Sequence, residues 1–182
     1  NRDLVSFLAL CARLGLRFVA KPGPFVHSEL NIGGLPDVAC PSFNSNIQPV
    51  RGHEGKPLLW GYDQTQMPSS EDETYDRLAL AWLEATGKIL APYAPDPLLA
   101  IQLNDETLYC TSNSPPWSYG YDPPDLQFYR QLMGERYGSI DRYNALHATG
   151  LSTFGELSGP VFGQRPSVPE ELLQYVDWAE LQ

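Results

Sequence analysis

Two short apolar runs constrain this chain more than any other feature: Phe18-Val19-Ala20 inside Leu16–Lys21, and Leu98-Leu99-Ala100-Ile101. The second is apolar at every position, as strands covered on both faces of a parallel sheet are. Between them lies a helical pattern that Pro92, Pro95 and Pro97 bring to an end. Strand, loop, helix and strand in that order form a crossover, right-handed by rule. The first strand empties into Pro22-Gly23-Pro24-Phe25-Val26-His27-Ser28-Glu29 and the second into Gln102-Leu103-Asn104-Asp105-Glu106. Chemistry in α/β barrels sits at the C-terminal ends of strands, so each strand end offers one carboxylate, Glu29 and Glu106.

The remaining elements follow from periodicity. Leu4, Phe7, Leu8, Cys11 and Leu14 recur at helical spacing with Gly15 behind them, which predicts a helix over 3–14 leading into the first strand. Residues 41–68 carry prolines, glycines and small polar residues without a sustained period and read as a long loop. Ser69 and Ser70 offer N-caps, with Glu71, Asp72 and Glu73 in the first turn where the helix dipole favours negative charge. The apolar face of that helix runs through Tyr75, Leu78, Trp82 and Ile89 to Leu90, which makes Trp82 a core residue. Tyr109–Pro124 is a second loop, rich in Pro, Ser, Tyr and Trp, a composition suited to a ligand-lined rim. Leu126, Tyr129, Met133 and Tyr137 share one face of a helix that Gly138 stops, and Ser139 caps a shorter one towards His147.

Composition removes several classes of function. The 182 residues are 42% hydrophobic, enough for one sizeable core, and the net charge of -10 with a pI near 4.6 leaves no basic stripe for nucleic acid or an anionic membrane. A neutral or cationic substrate suits that acidity. No apolar run approaches the ~20 residues that span a bilayer, and the opening Asn1-Arg2-Asp3 is neither an initiator Met nor a signal peptide, so the N-terminus reads as cut and the compartment stays open. Cys11, Cys40 and Cys110 are odd in number and scattered, which argues against a disulfide framework; Cys11 packs as a small hydrophobe. His27, His53 and His147 share no ligand spacing with Cys or Asp, so neither a metal nor another cofactor is expected.

The segment Asn1–Leu4 through Lys21-Pro22-Gly23-Pro24-Phe25, with Ser28-Glu29 and Gly33-Gly34-Leu35-Pro36, resembles the β-galactosidases of glycoside hydrolase family 35. Phe128-Tyr129-Arg130, Glu135-Arg136-Tyr137-Gly138-Ser139-Ile140 and Tyr143-Asn144-Ala145-Leu146 resemble those of family 42. Both families belong to a clan of retaining glycosidases on (β/α)8 barrels. The resemblance implies an α/β fold that is part of a TIM barrel, strands 3 and 4 with flanking helices and long βα loops. It puts Glu106 in the acid/base position after the fourth strand. Glu29 corresponds to a glutamate that binds hydroxyls of the terminal sugar, and Ser28 to a small residue facing the same sugar.

Two residues depart from the pattern. Asp105 stands where the families have the Asn whose amide grips the substrate 2-hydroxyl, with Asn104 one place earlier; a carboxylate there accepts but cannot donate, and its charge raises the pKa of Glu106. Lys21 replaces an Arg and loses its bidentate fork. Among aromatic residues of the loops, Trp60, Trp117 and Tyr119 are candidates to stack on sugar rings, although loop aromatics also anchor loops to a core.

A full barrel needs about 250 residues, so residues 1–182 are expected to be one segment of a glycosidase barrel, cut at both ends, with the nucleophile elsewhere. Glu156, in a loop setting, is not assigned catalysis. A retaining β-galactosidase-like hydrolase of terminal β-linked sugars is expected when the barrel is complete, and the segment alone is expected to be inactive. The alternatives are a non-catalytic carbohydrate-binding remnant, or a clan relative acting on another β-glycoside. Open sheet edges and an uncovered apolar face call for the missing barrel segments or a homo-oligomer as partner.

Overall fold

The structure, a computed structural model, describes residues 3–23, 34–60, 64–103, 118–161 and 168–181. The chain divides into two compact units: Asn1–Pro36 with Asp76–Thr107, and Asp37–Tyr75 with Leu108–Gln182.

In the first unit, helix α1 (Leu4–Arg13) starts where Asp3 caps it, Oδ1 accepting the Ser6 N–H at 3.0 Å, and ends before Gly15 at φ +66°. Strand β1 (Phe18–Ala20), helix α2 (Glu73–Leu90) and strand β2 (Leu98–Ile101) follow. The strands pair in parallel, Phe18 with Leu98, Val19 with Ala100 and Ala20 with Ile101, with an irregularity between Phe18 and Val19. Phe18 N–H donates to Pro97 O (3.0 Å) at one end of the ladder and Gln102 N–H to Ala20 O (2.8 Å) at the other.

One side of this pair is covered. Leu8, Leu90 and Leu98 are buried together, with Phe18, Ala20, Ile89 and Tyr93 packed around them, and each such leucine contributes about 1.5–3 kcal/mol. Val19 and its partner Ala100 point to the other side; Val19 is 57% exposed, Leu99 at the irregularity 56%, and Ile101 at the end of the ladder 46%. The parallel pairing agrees with the sequence; burial on both faces does not, because nothing among the described residues covers the second one. Trp82 also departs from expectation: its side chain is exposed rather than in the core, and its indole N–H donates to Pro22 O at 2.7 Å. Of the predicted α1 stripe, Leu8 and Cys11 are buried while Leu4, Phe7 and Leu14 are exposed.

In the second unit the proline-rich segment after Cys40 is folded. Antiparallel bridges join Pro49 to Pro68, Arg51 to Pro57 and Leu59 to Gln66, and Ile47, Val50, Trp60 and Met67 are buried. Asp72, not a serine, caps the helix that follows, its Oδ1 accepting Thr74 and Tyr75 N–H groups at 3.0 and 2.9 Å. Helix α3 (Pro123–Tyr137) is capped by Asp122; Gly138 stops it at φ +73° and Ser139 caps α4 (Ile140–His147), these last two as the sequence indicated. Helix α5 (Pro169–Ala179) was not legible: its exposed Leu172 and Val176 carry the apolar signal, whereas its buried residues are Asp177 and Trp178. Tyr129, Met133, Tyr137, Tyr143, Leu157 and Trp178 form the core. No helix among the described residues is long and apolar enough to cross a membrane.

Candidate functional site

Parallel pairing makes both strands end at the same edge of the pair, at Ala20 and Ile101. The segments carrying Glu29 and Glu106 are therefore attached at one edge, nine and five residues beyond the last strand residues. Ser28, Glu29, Asn104, Asp105, Glu106 and Trp117 themselves lie outside the described residues. What is described is the approach. Gly23 takes φ +83° just past β1, a conformation that favours glycine, and Gln102 is held against Ala20 by its backbone N–H. Trp82 clamps the start of the first segment through Pro22 O.

The two other aromatic candidates belong to the second unit. Trp60 is 9% exposed; its N–H donates to Thr65 O (2.7 Å) and its O accepts the Gln64 N–H (2.9 Å). Tyr119 is half-buried and bridges Gly52. Glu156 Oε2 accepts the Ser152 N–H at 3.0 Å, a structural engagement in the setting that the sequence left without catalysis. Among the described residues no group of three or more His, Cys, Asp or Glu could hold a metal ion.

Two buried polar clusters escaped sequence reasoning. The first joins the segment before α2 to the start of α3. Ser69 Oγ donates to Asp125 Oδ1 (2.9 Å), Asp122 Oδ2 accepts the Arg51 N–H (3.2 Å) and Asp72 Oδ2 accepts the Gln48 N–H (3.0 Å), with Asp122, Asp125 and Asp72 all buried. Burial, then the Asp122 carboxylate, push Asp125 up to about 7. Asp122-Pro123-Pro124-Asp125, which opens α3, falls at the end of the stretch the sequence reads as a loop to Pro124, and nothing local marks its two acids as interior.

The second cluster ties α3, α4 and α5 together. Tyr137 donates its hydroxyl to Asp177 Oδ2 at 2.6 Å, and His147 Nε2 lies 3.0 Å from both that oxygen and the Tyr137 hydroxyl. Arg136 Nη1 pairs with Asp177 Oδ1 at 2.8 Å and its guanidinium also grips Glu180. Burial holds the His147 imidazole below its ordinary value against the opposing pull of Asp177. A neutral ring donating from Nε2 leaves Nδ1 as a buried acceptor without a hydrogen bond. This network ties three helices together.

No protein family matches the chain. It is 24% identical over 167 residues to a β-1,2-glucosyltransferase of Ignavibacterium album, an alignment covering 87% of this chain and 22% of that protein. It is 23% identical over 185 residues to an exo-β-D-glucosaminidase of Pyrococcus horikoshii, covering 98% and 22%. A segment of 36 residues, 20% of the chain, is 44% identical to human β-galactosidase-1-like protein 2 and covers 6% of it. Among solved structures, the catalytic domain of a β-amylase from Paenibacillus polymyxa superposes with a TM-score of 0.45 at 19% identity, over 87% of this chain and 41% of that one. The sequence relation is thus to carbohydrate-active enzymes of glycosidase and glycosyltransferase type, and the chain spans about a fifth of the length of the first two relatives.

Proposed function

We propose that the chain is the third and fourth strand region of a (β/α)8-barrel glycoside hydrolase that cleaves terminal β-linked sugars with retention. The observation that carries the reading is the parallel pair β1–β2 with its crossover helix α2: it attaches the Glu29 and Glu106 segments at one strand edge and leaves an apolar second face, as one step of a barrel wall would. The relatives' names supply the chemistry. In this reading Glu106 protonates the glycosidic oxygen and then deprotonates water, Glu29 and Ser28 bind the terminal sugar, and Asn104 and Asp105 face its 2-hydroxyl. Trp60, Trp117 and Tyr119 stay the candidates to stack on a sugar ring. The nucleophile, about 5–5.5 Å from the acid/base, comes from outside the chain.

A β-galactosidase-like specificity follows from the motif resemblance, whereas two relatives bear glucosyl and glucosaminyl names, which favours a wider β-glycoside range. Asp105 in place of the expected Asn favours a second reading, a carbohydrate-binding barrel that no longer hydrolyses.

The test is hydrolysis of aryl β-galactoside, β-glucoside and β-glucosaminide by the natural-length protein and its Glu106→Gln variant. Loss of the acid/base lowers kcat by about 10²–10⁴ for poor leaving groups. Dinitrophenyl glycosides, whose leaving group needs no proton, lose far less in the glycosylation step. Equal losses on both substrates remove Glu106 from the acid/base role. Binding without turnover by the unmodified protein selects the non-hydrolytic reading.

A further inference from the structure

The second unit contains a cavity of about 180 Å³ lined by Tyr129, Tyr143, Leu151, Leu157, Ser158 and Gln174, among others. It is open to solvent on one side, where Glu156 and Ser158 are exposed, and Tyr129, Tyr143 and Leu157 form its buried part. Tyr129 is 1% exposed, and its hydroxyl has the Tyr143 hydroxyl as a polar neighbour but no partner in full hydrogen-bonding geometry. Burial raises its pKa far above the ordinary phenol value, so it stays a neutral O–H. Tyr143, also buried, is raised for the same reason and stands beside it. A buried hydroxyl whose hydrogen bonding is incomplete bears a desolvation cost that a bound polar group would relieve.

The wall opposite the tyrosines is held in place. Arg130 Nε donates to Leu157 O at 2.8 Å and the Tyr121 hydroxyl donates to Pro160 O. Between them Gly159 takes φ +78°, and a Cβ there would lie 2.7 Å from the Trp178 ring. The cavity is therefore framed by three fixed points rather than by a loose loop.

We propose that this cavity binds one small neutral polyhydroxy molecule of about the size of a single pyranose ring. Among the described residues no Lys or Arg lines it, and the polar side chains that do are uncharged apart from Glu156. Glu156, its one carboxylate, is already engaged by the Ser152 N–H. The phenols, the Gln174 amide and the Ser158 hydroxyl both give and accept hydrogen bonds, while Leu151, Leu157 and Pro160 suit C–H faces. The volume is slightly above the roughly 150 Å³ of a cavity known to admit benzene, so the pocket holds one six-membered ring. All of these groups belong to the second unit, so the inference does not depend on Glu106 being catalytic.

Saturation-transfer NMR and calorimetry on the full chain with glucose, galactose and glycerol test it, using Tyr129→Phe, Gln174→Leu and Glu106→Gln. Expected are millimolar binding of at least one of these probes, weakening by about fivefold in Tyr129→Phe or Gln174→Leu, the worth of one net hydrogen bond, and the same fivefold weakening when either substitution is made in the Glu106→Gln background. Tyr129→Phe removes one oxygen only, and a melt checks that each variant folds. Absence of binding at about 100 mM, a concentration that would reveal even very weak affinity, overturns the proposal. So does binding that Glu106→Gln abolishes while both cavity variants retain it, which would place the sugar beyond the strand ends.

Discussion

At the scale of single residues, the second unit depends on one position where no side chain fits. Gly159 combines a left-handed backbone with the face of the buried Trp178 ring, and Tyr121, 4.7 Å from Trp178 between ring centroids, closes the other side. Neither ring is the free end of a flexible chain, so a methyl group cannot be absorbed by rotation. Gly159→Ala is expected to destabilise the unit by about 1–3 kcal/mol, from backbone strain plus overpacking. Chemical denaturation read by tryptophan fluorescence checks it; a midpoint within error of the parent would show that Trp178 or the 157–160 strap yields freely. Gly138 is the informative contrast. It too has a positive φ, but a Cβ there meets nothing within 4 Å, so its substitution carries the strain alone.

At the scale of elements, Asp125 and His147 join pieces of chain far apart in sequence, and they give opposite dependences on pH. Asp125 links α3 to Ser69, with Asp122 and Glu71 as the acidic neighbours acting on it. Its folded pKa of about 7 lies above the ordinary 3.8, so the stability tied to its protonated form is full below about pH 4 and lost as pH rises through 7. His147 has a lowered folded pKa, so its contribution is full above about 6.5 and lost as pH falls below that value. Thermal melts from pH 4 to 8 should therefore show Asp125→Asn gaining a few degrees over the parent near pH 8 and the advantage vanishing by pH 4. A constant offset at all pH values would mean that Asp125 titrates normally. These clusters also mark the limit of what was legible. The caps Ser139 and Gly138, the α3 stripe and the strand pair were readable because each obeys a local rule of spacing. Asp177 and Asp125 are interior only because Arg136, Tyr137, His147 and Ser69 satisfy them from other elements, and no local pattern announces that. Trp82 fails for the reverse reason: it sits on the apolar stripe of α2, but its indole N–H is drawn outwards to Pro22 O.

At the scale of the molecule, the sheet of the first unit is the feature least at rest. Parallel strands are stable when covered on both faces, yet Val19, Leu99 and Ile101 present more than a third of their surface to water. If they belong to the inside of a barrel wall, their energetic role depends on whether the other strands are present. In the natural-length protein Leu99→Ala would then leave a cavity and cost about 2–5 kcal/mol. In the 182-residue chain the same side chain is already half exposed, and its removal should cost less than about 0.5 kcal/mol while reducing self-association through the bare face. Denaturation of both lengths, with sedimentation velocity on the shorter, separates the cases. A large cost only in the longer protein supports the barrel; a small cost in both would mean that this face looks outwards and that β1–β2 is an edge rather than part of a closed wall. In that event Glu29 and Glu106 would still leave from one strand edge, but without the ring of neighbouring strand ends from which a nucleophile could reach the acid/base across about 5.5 Å.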